Sequence, residues 1–421
     1  MKETIKFPIN IAPAQGGYAL ELEIGSLKKT VQLLLDTGSS TIAFKSENYS
    51  PHEDESVKYT QFAQCVTYGK GGWAGPVLHT EITYANGTDS FEVSQAPFAI
   101  VSNIQAQSFL GLDGILGLAY HHLNQAHNLS DYYKDKAKNK IGSADEKTYA
   151  WTFTDQVNKS GIPAFKKFLN KYPEKDITPI FTAFEQKYSS LHQFALLTHR
   201  SIVYVPNENM TEEQKENEPL NQGLFIIGDT EQDKDLCNGL TQDVKVLHDA
   251  YYNTNLISFQ VEGFEAMPAP LLEESYQHSF FTNSIIDSGS SYLMLQKQLY
   301  QYFIGSLNQI NSKLEPFIDA FNQTMKTGEP YIPTDLDLND WPSLYFTFEG
   351  ANGKPVKLCC QPDHYWQLHA GMPNRAFFTV LRQITKWPDQ SVIGLPLMSS
   401  YLCIFDRSAG KEGVIKFANK I

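Results

Sequence analysis

Apolar and polar positions alternate with a period of two over short runs along most of this chain, the pattern of strands that bury one face. Gly17 to Leu33 (GYALELEIGSLKKTVQL) alternates and turns at Gly25-Ser26, which predicts a hairpin. Val66 to Phe91 predicts a second, with one bend at Gly69, Gly71 and Gly72 and another at Asn86-Gly87. Trp341 to Lys357 and Gln390 to Ala418 alternate likewise, with turns at Asn352-Gly353 and Ala409-Gly410. Helical spacing is rarer. Thr154 to Tyr172 predicts one or two short helices broken at Gly161-Ile-Pro163, and Gln296 to Thr324 sets Leu299, Phe303, Leu307 and Ile310 at helical spacing. Lys134 to Lys147 and Asn207 to Asn221 are highly polar and are expected as exposed loops. The fold class that follows is all-β.

One strand pattern occurs twice. Val31 to Thr41 reads VQLLLDTGSST and Asn283 to Leu293 reads NSIIDSGSSYL, each an apolar run entering Asp, a small hydroxyl residue, Gly and two serines. The first copy is followed by DGILGLAY (Asp113 to Tyr120), the second by SVIGL (Ser391 to Leu395), so an apolar-apolar-Gly element trails both. A duplicated unit with one Asp per copy predicts two similar β-barrel-like lobes, residues 1–200 and 201–421, facing each other across a cleft.

Length agrees with two lobes, since 421 residues exceed what a single hydrophobic core organises. The composition, 42% hydrophobic and 19% charged with 22 Tyr and 26 Phe, is that of a packed, strand-rich protein. A formal net charge of −13 excludes nucleic acid as the expected partner, because phosphate contacts need clustered Lys and Arg. No run of eighteen apolar residues offers an ordinary membrane-spanning helix. The start, MKETIKFPIN, lacks a charged leader and an apolar run; as a native start it predicts a cytoplasmic protein, whereas a trimmed one leaves secretion open. Asn-x-Ser/Thr triplets at Asn48, Asn86, Asn128, Asn158, Asn209 and Asn322 lean the other way. Cys65, Cys237, Cys359, Cys360 and Cys403 show no metal or redox spacing and read as small buried hydrophobes.

The paired motif carries the chemistry. Gly38 and Gly289 let the chain turn tightly, with backbone N–H groups free to point at the carboxylates of Asp36 and Asp287. Thr37 and Ser288 are placed to hydrogen-bond between the two copies, and Ser39 and Ser290 to donate to their own Asp, which favours the ionised carboxylate. Two carboxylates side by side cannot both be charged cheaply, so they share one proton and titrate as a pair. One then acts as general base on a water between them while the protonated one polarises a carbonyl. No metal, cofactor or side-chain nucleophile is required.

These residues resemble the pepsin family of aspartic peptidases. DGILGLAY matches a family signature, Tyr68-Gly-Lys-Gly-Gly-Trp-Ala-Gly75 looks like its flap hairpin, and Gly223 to Asp229, Val392 to Gly394 and Phe405 to Arg407 look like its second-lobe strands. The resemblance implies a bilobal fold and an endopeptidase of extended polypeptides, acting next to hydrophobic residues; the hydroxyl donors of Ser39 and Ser290 predict an acidic optimum, below about pH 6. It implies a monomer binding peptide or protein substrates and statine-type inhibitors, with no nucleic acid or membrane partner. It places Tyr68, Gly69 and Lys70 over the substrate, and Phe109, Leu112 and Ile115 either in a substrate pocket or in the core, with Tyr252 and Met294 as weaker second-lobe candidates. Ala43 stands where the family has a Trp that supports the flap Tyr, and Trp73 is a possible substitute. The missing disulfide cysteines and leader look most like bacterial pepsin homologues. His121, His122 and His127 cluster but lack ligand spacing, so they read as surface or core residues. The alternative function is a catalytically weak binding or inhibitor protein on the same fold.

Overall fold

The computed structural model describes residues 4–14, 16–67, 72–86, 89–104, 109–188, 192–231, 233–384 and 387–421. Contacts divide the chain into two compact units, Ala19–Ser189 and a larger one made of Met1–Tyr18 with Ser190–Ile421. Strands account for 38% of the residues and helices for 22%, in agreement with the expected all-β, pepsin-like class. Among the described residues no helix is long and apolar enough to cross a membrane.

The first strand, β1 (Thr4–Asn10), belongs to the larger unit. The smaller unit is built on β2 (Ala19–Ile24), β3 (Lys29–Asp36), β4 (Ile42–Lys45), β5 (Lys58–Thr67), β6 (Gly72–Asn86), β7 (Asp89–Val101), β8 (Asn103–Ile104), β9 (Gly114–Gly117), β10 (Gln125–Asn128) and β11 (Glu174–Asp176). Alternation decides the faces: Leu20, Leu22 and Ile24 of β2 are buried while Glu21 points out. The predicted first hairpin is β2–β3, turning through Gly25, whose φ of +74° suits glycine. The order β2-β3-β9-β4-β7-β6 closes on itself because β6 also pairs with β2, giving a six-stranded barrel.

Outside that barrel lie α1 (Ser130–Lys138), α2 (Thr154–Ser160), α3 (Ile162–Leu169) and α4 (Ile180–Lys187). The break between α2 and α3 falls at Gly161, as the sequence predicts. The expected loop at Lys134–Lys147 is partly wrong, because α1 occupies its first part. Tyr133 anchors that helix in an aromatic core, and Lys136 pairs with Glu146 at 2.8 Å.

In the larger unit, β1 pairs with β13 (Gln222–Gly228), which pairs with β12 (Gln193–Leu197), and the antiparallel sheet continues through β26 (Leu402–Asp406), β27 (Val414–Lys420) and β14 (Cys237–Lys245). β16 (Leu256–Val261), β17 (Met267–Pro268), β20 (Leu344–Glu349) and β21 (Pro355–Cys360) form a second sheet, and β22 (Trp366–Leu368) pairs with β23 (Ala376–Phe378). A third contains β15 (Asn253–Thr254), β18 (Ser284–Ile286), β25 (Ser391–Ile393), β19 (Leu293–Leu295) and β24 (Val380–Arg382), in that order.

Two expectations change here. The helical stretch from Gln296 is two helices, Lys297–Ile310 and Leu314–Thr327, because Asn311 is extended and ends the first; Leu299, Phe303 and Leu307 are buried but Ile310 is not. The acidic segment 207–221 holds a short helix, Glu212–Glu216, started by a capping box between Thr211 and Gln214.

Candidate active site

The two Asp motifs sit in the same local architecture, one in each unit. In the smaller, β2 runs antiparallel to β3, β3 parallel to β9, β9 antiparallel to β4, and β4 parallel to β7. In the larger, β15–β18, β18–β25, β25–β19 and β19–β24 repeat those four relations in the same order. In both, the apolar-apolar-Gly strand lies between the strand that enters the Asp loop and the strand that leaves it.

That placement explains the motif's last residue. A Cβ at Gly117 would lie 2.5 Å from the Thr41 nitrogen, and one at Gly394 would lie 2.2 Å from the Ser290 oxygen. Each Asp loop folds so closely over this strand that no side chain fits beneath it. Asp113, which opens DGILGLAY, fastens the same strand pair: its Oδ2 accepts from Gln32 N at 2.9 Å.

Asp36 is the last residue of β3, and Asp287 follows directly after β18. The Gly38 N–H donates to Asp36 Oδ1 at 2.7 Å and the Gly289 N–H to Asp287 Oδ1 at 2.9 Å, the bond expected from the Asp-x-Gly spacing. The backbone behind each carboxylate is held too, with Leu118 N on Asp36 O at 2.7 Å and Asp287 N on Ile393 O at 3.0 Å. Thr37 and Ser288 are buried, Asp36 is 7% exposed and Asp287 is half-buried. Backbone donors fixed on one carboxylate oxygen favour the ionised form and leave the side chain a single orientation.

The serines behave differently from expectation. Ser290 Oγ donates to Tyr292 O at 3.1 Å and accepts from Tyr292 N at 3.3 Å, so its hydroxyl serves a local turn and not Asp287. Ser39 Oγ is buried and has no hydrogen-bond partner among the described residues. The second serine of each motif, which sequence reasoning passed over, is the structural one: Ser40 donates to Tyr120 O and Ser291 to Gly16 O. The repetition of Ser at that position in both copies was its available signal.

The flap residues Tyr68, Gly69 and Lys70 lie outside the described residues. Their flanking strands β5 and β6 pair in register from Ala63↔Pro76 to Thr67↔Gly72. Phe109, Leu112 and Ile115 are each at most 3% exposed. Ala43 is fully buried and pairs with Ile115 and Ala99; Trp73, also fully buried, lies on β6 beside Val66 and Ile104. Tyr252 packs on Phe405 and accepts from Arg407 Nε at 3.0 Å, and Met294 is half-buried on β19. His127 is buried with Nδ1 3.4 Å from Tyr172 O; no group of His, Cys, Asp or Glu among the described residues is arranged to hold a metal. The five cysteines are free thiols, all buried except the half-buried Cys359.

Residues 17–166 match the model of the family described as eukaryotic aspartyl protease. A beta-secretase of Strongylocentrotus purpuratus is 20% identical over 420 residues, covering 94% of this chain and 66% of that protein. The chain thus spans just under two thirds of the length of that curated relative. These likenesses and the doubled Asp architecture support a likeness to the pepsin-like family. Both likenesses are to eukaryotic proteins, and the resemblance to bacterial homologues draws no support from them.

Proposed function

We propose that this protein is an aspartic endopeptidase in which Asp36 and Asp287 share one proton. The observation that carries this reading is the repetition: two four-relation strand sets, each presenting one Asp whose Oδ1 accepts from the glycine two residues on. The ionised member of the pair removes a proton from a water, which attacks the substrate carbonyl; the protonated member donates to the carbonyl oxygen, and a proton then passes to the leaving amine. Because each carboxylate keeps a backbone donor and the pair works with one proton, the rate is highest below about pH 6. Substrates are extended polypeptides cut next to hydrophobic residues, Tyr68 covers the bound peptide, and the protein acts as a monomer that statine-type peptides inhibit.

Ser39 and Ser290, whose hydroxyls are not on the carboxylates, favour a second reading: a weakly catalytic binding protein on the same fold. Cleavage-site profiling on a peptide library, with and without a statine-type peptide, separates the two. Inhibitable cleavage between hydrophobic residues supports the endopeptidase. Tight binding of the statine peptide with no cleavage at any pH from 3 to 8 supports the binding protein.

A further inference from the structure

The helical insert of the smaller unit has no part in the chemistry above, yet it is built onto one hairpin. Phe153, Ile162 and Phe165 form a core with Ala63 and Cys65 of β5 and Ala74 of β6, separate from the barrel interior. Ile162, at the start of α3, sits where β5 and β6 approach residues 68–71: its Cγ2 would be 3.2 Å from a Cβ at Gly72, and its carbonyl lies 3.7 Å from Cys65 Sγ.

Hydrogen bonds tie down the hairpin's other edge. β8 pairs with β6 through Asn103↔Ala74 and Ile104↔Trp73. The side chain of Asn103, 8% exposed, uses both ends of its amide on the insert. Its Oδ1 accepts from Trp151 Nε1 at 2.8 Å, and its Nδ2 donates to Asn158 Oδ1, on α2, at 3.1 Å. Trp151 is itself held edge-on against Phe153 and Phe165, with centroids 5.1 and 5.7 Å away. Apolar packing alone tolerates sliding. An amide that is itself buried and bonded at both ends, to half-buried Trp151 and to exposed Asn158, favours one register, because a shift breaks both bonds at once.

We propose that Asn103, Trp151 and Asn158 are positioning residues: through β8 and β6 they set where the β5–β6 hairpin stands relative to Asp36 in the same unit. The inference rests on the endopeptidase reading, in which that hairpin contacts the substrate. Misplacing a substrate-contacting group by about 1 Å costs up to about a hundredfold in rate, so the clamp acts on turnover as well as on stability.

The test uses the full chain with Asn103→Ala, Asn158→Ala and Trp151→Phe, the last keeping the ring's packing while removing its donor. Amide exchange across β5 and β6 is measured beside kcat and KM on one peptide, well below the unfolding midpoint and normalised by active-site titration. The expected result is at least about tenfold faster exchange in β6 and at least about tenfold lower kcat/KM, with Asn103→Asp, which keeps the acceptor for Trp151, recovering part of both. Unchanged exchange, or faster exchange with kcat/KM within about twofold of wild type, overturns the proposal alone. A wild type that cleaves no peptide takes the endopeptidase reading and this proposal down together.

Discussion

Replacing Asp54 with Asn should loosen the end of the barrel where three chain segments meet. The Asp54 carboxylate is 7% exposed and accepts five hydrogen bonds. Oδ1 takes Ser26 N at 2.9 Å, Ser56 N at 2.9 Å and Ser56 Oγ at 2.6 Å, while Oδ2 takes the hydroxyls of Tyr49 and Thr80. Burial pushes this carboxyl's pKa up, but the donors from Ser26, Ser56, Thr80 and Tyr49 outweigh it and hold the group well below the usual carboxylate range. Gly25 belongs to the same arrangement, since a Cβ there would lie 2.5 Å from Asp54 Oδ2.

An Asn at this position keeps one oxygen and turns an NH2 group against at least two donors. Hydrogen bonds to a charged partner contribute about 1.5–3 kcal/mol each, so losing two costs about 3–6 kcal/mol. For a unit of this size that lowers the melting midpoint by roughly 6–24 °C. The depressed pKa sets the pH dependence. The stabilisation is fully present above the unfolded value near 3.8 and is lost as pH falls through the lower folded value, so Asp54 remains ionised under the acidic conditions proposed for activity. Thermal unfolding at pH 7, 5 and 3 should show a gap between wild type and Asp54→Asn that is constant down to about pH 4 and narrows below it. A gap under about 2 °C at pH 7, or one that widens below pH 4, would refute the reasoning.

Three further outcomes follow from the structure. Gly117→Ala and Gly394→Ala should each destabilise their own unit by roughly 3 kcal/mol or more, because the new Cβ meets backbone at 2.5 and 2.2 Å; denaturant midpoints equal to wild type would show that the Asp loops yield. Burial and then Lys420 push His199 down to about 4, and burial does the same to His364, where the pull of Asp363 is outweighed with help from Lys420, Arg200 and His199. Unfolded histidines titrate near 6.5, so the larger unit loses stability as pH falls from about 6.5 to 4; His364→Gln should flatten that slope, and an unchanged slope would exclude it. Burial holds the thiols of Cys65 and Cys403 up at about 11 and about 12, so alkylation of the native protein at neutral pH should mark half-buried Cys359 first, and equal labelling of all five would contradict the packing.

The chain's period-two alternation and its doubled D(T/S)GSS motif make the strand class and the two Asp loops legible in the sequence. Gly38 and Gly289 do what their place after Asp demands, because the reach of an Asp side chain to the N–H two residues on is a local property. Ser39 and Ser290 differ from expectation: the spacing allows a bond to Asp, but the folded turn gives the Ser290 hydroxyl to Tyr292 and leaves that of Ser39 without a partner among the described residues. The need for glycine at 117 and 394 depends on strands brought together across some eighty and one hundred residues, and no local pattern encodes that approach. Leu129, Tyr132 and Tyr133 are the last apolar residues before the polar run from Lys134, so the helix that their packing against Phe153 anchors left too little periodicity beyond them to read.

The most direct test of the shared proton is kcat/KM on one peptide for Asp36→Asn, Asp287→Asn and the double variant, each checked for an unchanged melting profile. If the two carboxylates act as one catalyst, either single change abolishes cleavage and the second adds no further loss. A single variant that still cuts at near wild-type rate, or losses that simply multiply in the double, would contradict it.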